Sequence, residues 1–430
     1  MKKLIALLAI LGFTPGAYAA GGADASHSGE FRLIYNSDME FDLDEDAPDS
    51  PDQSVTQRLR WGTTVRAGEK LTGHFTLVHN ADWGSNSDQI PGDGSTSATS
   101  TTAETANNTL IVNEAYMAWL ASDAWAIKAG RGTHTLADGR FVSSNDWDPV
   151  MRAFDGIAAA YDHEFAKFTF FHVTGAKANT AGSFNDYGRF FGVNADFKSL
   201  PDWLKMASVH IVQVKRDPGT YLANGATTPA LSKEDNMKIG VVLAGASGAV
   251  DYRFNYEMED GENESGGAKT DISTSMIDAE VGYDFGAGRA HVGYHTDSGT
   301  SSGNDDETYD GFHYDRHNNA GLMDIFGWGN LTYLRVGANY NLNDEVALGA
   351  EYYMFSQTEK EDGYRNYDGT ESAGLKTEDD LGTELDLWVT KKYSNNFSTM
   401  LRYGMFQAGD EFGNDVDDAS QIYVEGKLTF

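Results

Sequence analysis

The feature that most constrains this chain is a repeated alternation of apolar and polar residues with a period of two. Between residues 250 and 258, aliphatic or aromatic side chains at even positions alternate with charged or amide side chains at odd positions. The pattern recurs at 334–342 and, with three arginines on its polar face, at 58–66. Successive side chains of a β-strand point to opposite faces, so each segment predicts a strand with one apolar and one polar face.

Eighteen such segments can be placed along the chain. They lie at 29–36, 55–66, 72–79, 110–120, 125–131, 154–161, 165–173, 189–197, 204–213, 238–244, 250–258, 275–284, 288–295, 331–341, 345–354, 382–391, 397–406 and 421–430. Short connections such as 67–71 alternate with long ones such as 296–330, as in barrels with short periplasmic turns and long external loops. The sequence predicts an all-β fold: a transmembrane antiparallel up-and-down β-barrel of about 18 strands. A barrel of 16 strands and a soluble sandwich or propeller are the alternatives.

The N-terminus has the pattern of a secretory signal. Lys2 and Lys3 precede an apolar run from Leu4 to Phe13, and Ala17-Tyr18-Ala19 is a small-x-small cleavage site. The apolar run is about half of the roughly 20 residues that a spanning helix needs, which disfavours the alternative of a membrane anchor. We expect a signal peptide at 1–19, cleavage near Ala19 and a barrel over 20–430, in the outer membrane of a Gram-negative bacterium.

The charge and the missing cysteines exclude several classes of function. The chain has 32 basic and 65 acidic residues, a formal net charge of −33, which makes nucleic acid an improbable partner. With no cysteine, neither disulfides nor thiolate chemistry can contribute. No Gly-x-Ser-x-Gly or His-Glu-x-x-His motif occurs. We therefore expect no enzyme, no cofactor and no metal, with a structural or adhesive surface barrel as an alternative to transport.

The polar face of the predicted strands must line the inside of the barrel, because lipid accepts only the apolar face. Besides Arg32, the candidate lumen-lining residues are Arg58, Arg60, Lys128, Asp251, Arg253, Glu257, Arg335, Glu384, Asp386 and Arg402. So much charge is incompatible with a dry core, and a barrel of 16 to 18 strands leaves an aqueous channel. These residues predict a porin: a water-filled passage for ions and small hydrophilic solutes, with selectivity for a substrate left open.

The third long connection, residues 132–153, carries both charge signs and is the candidate for a loop that folds inward. The residues that would form the constriction are Arg131, Arg140, Asp146, Asp148, Arg152 and Asp155. Opposed charges there would act on a permeating solute. A solvated surface loop is the alternative interpretation.

Several partners follow from this interpretation. Aromatic residues bracket five of the short turns, for example Trp119 with Trp125 and Tyr161 with Phe165, as in the girdle at lipid headgroups. We expect contact with outer-membrane lipid and lipopolysaccharide, and association of barrels into a homo-oligomer is left open.

The segment from Ala126 to Ile157 resembles the alginate-export family of outer-membrane porins. The resemblance is carried by Gly130-Arg131, Asp138-Gly139-Arg140, Ser143-Ser144, Trp147 and the run from Arg152 to Gly156. The tail from Gly382 to Asp410 is similar to the closing hairpin of that family. The resemblance implies an 18-stranded barrel, and a polyanion exporter is the alternative function. Phe430 resembles the terminal aromatic residue that the barrel assembly machinery recognises, which makes that machinery an expected partner.

Overall fold

The computed structural model describes residues 23–39, 52–83, 109–175, 189–216, 233–265, 268–301, 305–311, 313–317, 319–367, 372, 378–413 and 416–430. The expected signal peptide lies outside the described residues. The strands are β1 (Ala23–Met39), β2 (Asp52–Ala67), β3 (Leu71–Asp82), β4 (Thr109–Leu120), β5 (Trp125–Gly132), β6 (Phe154–Asp162), β7 (Ala166–Gly175), β8 (Arg189–Phe197), β9 (Leu204–Arg216), β10 (Lys233–Ser247), β11 (Val250–Ser265), β12 (Ala268–Asp284), β13 (Gly288–Asp297), β14 (Leu331–Asn341), β15 (Val346–Gln357), β16 (Asp380–Lys392), β17 (Phe397–Ala408) and β18 (Ala419–Thr429). A 3-10 turn covers Asp410–Phe412.

The strands form one closed sheet. Each strand pairs antiparallel with its neighbours in the chain, and β1 pairs with β18 from Glu30 opposite Thr429 to Met39 opposite Ser420. Closure leaves no unpaired sheet edge, which a barrel in lipid requires. The prediction of an 18-stranded antiparallel up-and-down barrel is confirmed.

The two faces of the sheet differ as the alternation requires. The outer face exposes large apolar side chains on successive strands, such as Met117 on β4, Val281 on β12 and Val336 on β14. On the inner face, charged residues such as Arg58 and Arg335 are buried. An apolar outer band around a polar interior is the arrangement of a barrel in a membrane. No helix in the described part of the chain is long and apolar enough to cross a membrane.

Several strands are longer than the alternation predicts. Strand β11 continues to Ser265, although its predicted segment ends at Met258, and β12 begins at Ala268 rather than 275. The added residues form a regular hairpin in which Glu262 lies opposite Asp271. Polar residues occupy both faces of this extension, so the sequence pattern disappears where the strands leave the apolar band while the backbone pairing continues.

The short turns and both described chain ends lie at the same end of the barrel, where aromatic rings are concentrated. Trp125 stacks on Tyr161 with ring centroids 4.7 Å apart. Phe430 lies 5.6 Å from Trp61 between ring centroids, and its backbone pairs with that of Gly29. A Cβ at position 29 would collide with the Phe430 ring, so only glycine allows this aromatic residue to close the barrel seam.

The hydrophobic core lies inside the barrel and is formed by two connections that fold inward. The β5–β6 loop (residues 133–153) packs Leu136 and Phe141 against apolar side chains of β6 to β9. The β13–β14 loop (residues 298–330, within the described ranges) packs Tyr309, Phe326 and Trp328 against β14 to β17. Each loop buries its own apolar side chains against the wall, so the two loops narrow the lumen from different sides.

Candidate channel constriction

The β5–β6 loop is held inside the barrel by buried ion pairs. Arg140 is buried, and its guanidinium bonds Asp278 of β12 at 3.0 Å and Asp138 at 3.1 Å. The loop turns sharply at Gly139, which has a φ of 85° that favours glycine. Breaking a buried ion pair destabilises a protein strongly, because one charge is then left buried with neither a counter-ion nor water around it. The pair therefore determines where the loop sits.

The β13–β14 loop is anchored by carboxylates of the wall. Glu384 Oε1 accepts the backbone N–H groups of Leu322 at 2.7 Å and Met323 at 3.0 Å, and Asp386 Oδ2 accepts that of Leu322 at 3.2 Å. At the end of the loop, Asp297 accepts the N–H groups of Gly329 and Leu331. These hydrogen bonds hold the backbone of the β13–β14 loop against the wall.

The two inner loops also bind each other across the lumen. The Ser143 N–H donates to the His313 carbonyl at 2.8 Å, and the His313 N–H donates to the Phe141 carbonyl at 3.1 Å. Arg152 adds bonds from Nη1 to the carbonyls of His313 at 2.6 Å and Tyr314 at 3.2 Å. The loops therefore form one connected partition inside the barrel.

Trp147 of the β5–β6 loop lies where this partition meets the wall of β1, β2, β17 and β18. Its indole stacks flat on the imidazole of His317, with ring centroids 3.4 Å apart. The guanidinium groups of Arg32 and Arg402 lie 5.5 Å and 5.4 Å from the indole centroid. Guanidinium groups at such distances are attracted by the π-electrons of the ring.

Two cavities meet at these side chains. One cavity of about 510 Å³ extends toward the short turns and reaches Lys427, and one of about 200 Å³ extends toward the long loops and reaches Asn80. Arg32, Trp147 and Arg402 line both cavities. We call these three side chains the neck, because they are the lining residues that the two cavities share.

The neck is positively charged. Arg32 is 4% exposed and Arg402 is 2% exposed. Arg32 donates to the carbonyls of Asp146 at 3.5 Å and Trp147 at 2.5 Å, and Arg402 donates to Gln421 at 2.7 Å and His317 at 3.1 Å. Among the described residues, neither guanidinium has a carboxylate within 4.0 Å.

The neighbouring arginines are neutralised. Arg58 pairs with Glu30 at 2.6 Å and with Asp146 at 3.1 Å. Arg60 pairs with the same two carboxylates at 3.4 Å and 2.7 Å. A charge removed from water without a counter-ion is costly, so the neck has a residual attraction for an anion that its neighbours lack.

The structure places all ten lumen-lining candidates on the inner face, but most of them bind other side chains inside the barrel. Arg253 and Arg335 bind Glu280, Asp251 binds Arg289, Glu257 accepts the Tyr309 hydroxyl, and Lys128 lies over the Tyr116 ring. Glu384 and Asp386 are fully buried beneath the β13–β14 loop. Of the ten, Arg335 and Arg402 line the larger cavity, and Arg58 and Arg402 line the smaller one.

The six constriction candidates separate into three groups. Asp146 lines the larger cavity. Arg140, Arg152 and Asp148 hold the β5–β6 loop in place, Asp148 by accepting Arg58 on its carbonyl and Asn145 on its carboxylate. Arg131 and Asp155 differ from the expectation. They pair with each other at 2.8 Å, and by strand alternation they share the outer face with Ile127 and Ile157.

Sequence reasoning missed the β13–β14 loop and its His317. The signal that could have revealed the loop is its aromatic content, since Tyr309, Tyr314, Phe326 and Trp328 are too many large rings for a solvated loop. In the sequence, Trp147 is distinguished only as part of the family motif. In the described part of the chain, no three His, Asp or Glu side chains converge in a way that could hold a metal ion.

A closed antiparallel barrel with an apolar outer band and a lumen narrowed by inward loops defines an outer-membrane porin-type channel. The sequence model of the alginate export family matches residues 30–424, and the chain belongs to this family. No curated protein sequence matches the chain.

Solved structures with the same fold include proteins of Pseudomonas. OpdK of Pseudomonas aeruginosa is 12% identical, with a TM-score of 0.60 and coverage of 95% of this chain and 99% of that one. OccK8 (OprE) of the same organism is 10% identical, with a TM-score of 0.61 and coverage of 95% and 98%. A BenF-like porin from Pseudomonas fluorescens is 12% identical, with a TM-score of 0.62 and coverage of 95% and 99%. At these identities the comparison concerns the fold.

Proposed function

We propose that this protein is an outer-membrane channel for small hydrophilic solutes and that its neck selects anions. The observation that carries the proposal is the pair of buried guanidinium groups, Arg32 and Arg402, close to the Trp147 ring, where both cavities are lined by the same three side chains. A narrow site surrounded by protein strengthens electrostatic attraction, because fewer water molecules screen the charge.

The fold and the family favour a channel over an enzyme. The inner loops leave cavities of about 510 Å³ and 200 Å³ on the two sides of the neck, a size suited to a small solute. The family description, alginate export, and the positive neck together favour a second candidate, passage of a uronate chain. A polymer would have to pass the neck residue by residue, so the two candidates differ in the length of solute that permeates.

The test is the reversal potential of the purified protein in a planar bilayer under a KCl gradient. We expect the wild type to prefer chloride at about 1 M salt, where a Debye length of about 3 Å suppresses the field of the distant acidic loops. Arg402→Gln should weaken this preference, and Arg32→Gln with Arg402→Gln should abolish it. The charged groups left on the larger cavity would then be the carboxylates of Asp146, Asp315, Glu351 and Glu425 against Arg335 and Lys427.

Lys205→Gln is the matched control, since this lysine is exposed at the short-turn end of β9 and lies outside the neck. It should leave the reversal potential unchanged. Cation preference in the wild type, or an equal effect of all three substitutions, would overturn the assignment of the neck. Oligouronates can also be added to the bilayer. If they block the current through Arg32 and Arg402 and only the shortest of them permeate, the small-anion function is favoured over polymer export.

A further inference from the structure

His317 connects three separate parts of the partition. Its side chain is buried in the β13–β14 loop, where Nδ1 lies 2.8 Å and 2.9 Å from the two carboxylate oxygens of Asp324. Nε2 lies 3.1 Å from Arg402 Nη1 of β17, and the ring face covers Trp147 of the β5–β6 loop. One imidazole therefore contacts its own loop, the wall and the indole of the neck.

The contacts of His317 determine its protonation state. An arginine guanidinium is a donor only and does not lose its proton, so Nε2 must accept from Arg402. The hydrogen is then on Nδ1, which donates to Asp324. The arrangement requires a neutral imidazole with a defined tautomer, and a protonated ring would direct a second N–H donor at Arg402.

We propose that His317 is the positioning residue of the neck: its neutral ring holds Trp147 beside Arg32 and Arg402, and protonation releases the indole. The inference rests on the channel function proposed above and adds a pH dependence to it. A doubly protonated ring and Arg402 would be two cations and two donors about 3.1 Å apart, an arrangement with no hydrogen bond between them.

The other charged groups around His317 oppose one another. Asp324 and Asp315 of the same loop favour the protonated ring, and Arg402 of β17 opposes it. Arg32 of β1 and Asp146 of the β5–β6 loop line the same cavity as His317, with opposite signs. The deciding contribution is burial, which disfavours the charged ring and lowers the pKa of His317 below its usual 6.5.

The sign of the pH dependence follows from this shift. A ring released into water has the ordinary pKa, so it takes up a proton more readily than the ring held against Trp147. The held arrangement is fully stabilised above about pH 6.5 and is lost as the pH falls through the lowered pKa of the buried ring. Lowering the pH should therefore release the Trp147 indole from its position in the neck.

The experiment is single-channel recording of the full-length protein between pH 7.5 and 4.5. The wild type should show a pH-dependent change in conductance with a midpoint below 6.5. His317→Gln, whose amide both donates and accepts but does not titrate, should lose this pH-dependent step. His163→Gln, a substitution in the short β6–β7 turn, is the matched control and should titrate like the wild type.

The Asp324→Asn variant distinguishes a titrating role of His317 from a purely structural one. Asp324 has a φ of 61°, a conformation that asparagine tolerates, so the loop should keep its shape. Without the carboxylate, the protonated ring loses its main attraction and the midpoint should shift to lower pH. A pH-independent wild type, or a His317→Gln variant that titrates normally, would overturn the role of His317. Absence of conductance at every pH would instead refute the channel function.

Discussion

Arg32 and Arg402 differ from the other interior arginines in what surrounds them. Arg58 and Arg60 share carboxylates, whereas the two guanidinium groups of the neck bond carbonyl, amide and imidazole acceptors and lie over an indole. Arginine tolerates such sites because its charge is delocalised and weakly hydrated. For single residues, the position of a charge relative to its partners therefore matters more than the number of charges in the lumen.

The contrast between Arg140 and Arg131 gives a prediction for single side chains. Arg140→Gln should remove one of the buried partners of Asp278 and so loosen the β5–β6 loop. We expect an altered single-channel conductance and cleavage of the loop by protease. Arg131→Gln removes a half-exposed pair on the outer face and should leave conductance unchanged. A conductance change for Arg131→Gln that equals the one for Arg140→Gln would contradict this placement.

Among the elements of the fold, the inward loops determine the free space in the barrel. The β13–β14 loop places a cluster of aromatic rings, including Tyr309, Phe326 and Trp328, against β14 to β17. Burial of apolar surface against the wall stabilises the loop by roughly 25 cal/mol per Å². The carboxylates of Glu384 and Asp386 then fix its backbone, so the loop is a packed part of the molecule rather than an external appendage.

Shortening the β13–β14 loop tests whether it fills the lumen. Replacing residues 305–323 by a short Gly-Ser linker removes Tyr309, Tyr314 and His317 and should raise the conductance and abolish the anion preference, because the neck loses its support. Removing residues 264–269 from the β11–β12 hairpin should leave both unchanged, since that hairpin continues beyond the apolar band. If the wild type and the loop variant had equal conductance, the narrowest part of the channel would be formed by other residues.

In the molecule as a whole, closure between β1 and β18 determines the topology. Both strands begin or end where the short turns lie, and the long connections lie at the opposite end. Porin-type barrels present short turns to the periplasm and long loops to the outside. We therefore expect the larger cavity to open toward the periplasm and the smaller one toward the exterior.

The orientation can be tested with single cysteines, because the natural chain contains none. Glu361→Cys, exposed in the β15–β16 connection, should react with a membrane-impermeant maleimide on intact cells. Asn343→Cys and Asn395→Cys, in the turns β14–β15 and β16–β17, should react only after the outer membrane is opened. Labelling of Asn343→Cys on intact cells, with Glu361→Cys protected, would reverse the orientation.

The strands, their number and their two faces could all be predicted from the amino-acid pattern. Alternation is a local property, since a side chain of a strand points in or out according to its position in its own segment. Residues 250–258 and β11 illustrate this, because every even position of the predicted segment faces outward in the barrel. The same rule places Arg131 on the outer face, because its position has the parity of Ile127.

The connection 132–153 could be predicted to fold inward, but the side chains at the narrowing could not, because their contacts depend on how the closed barrel packs. Trp147, His317 and Arg402 lie on three elements far apart in the chain, and the ring stacking and hydrogen bonds that join them depend on how two loops fold inside the wall. Which arginines remain without a carboxylate likewise follows from side-chain geometry across the lumen. No local pattern contains these distances, because they arise only when barrel closure brings β1, β17 and the inner loops together.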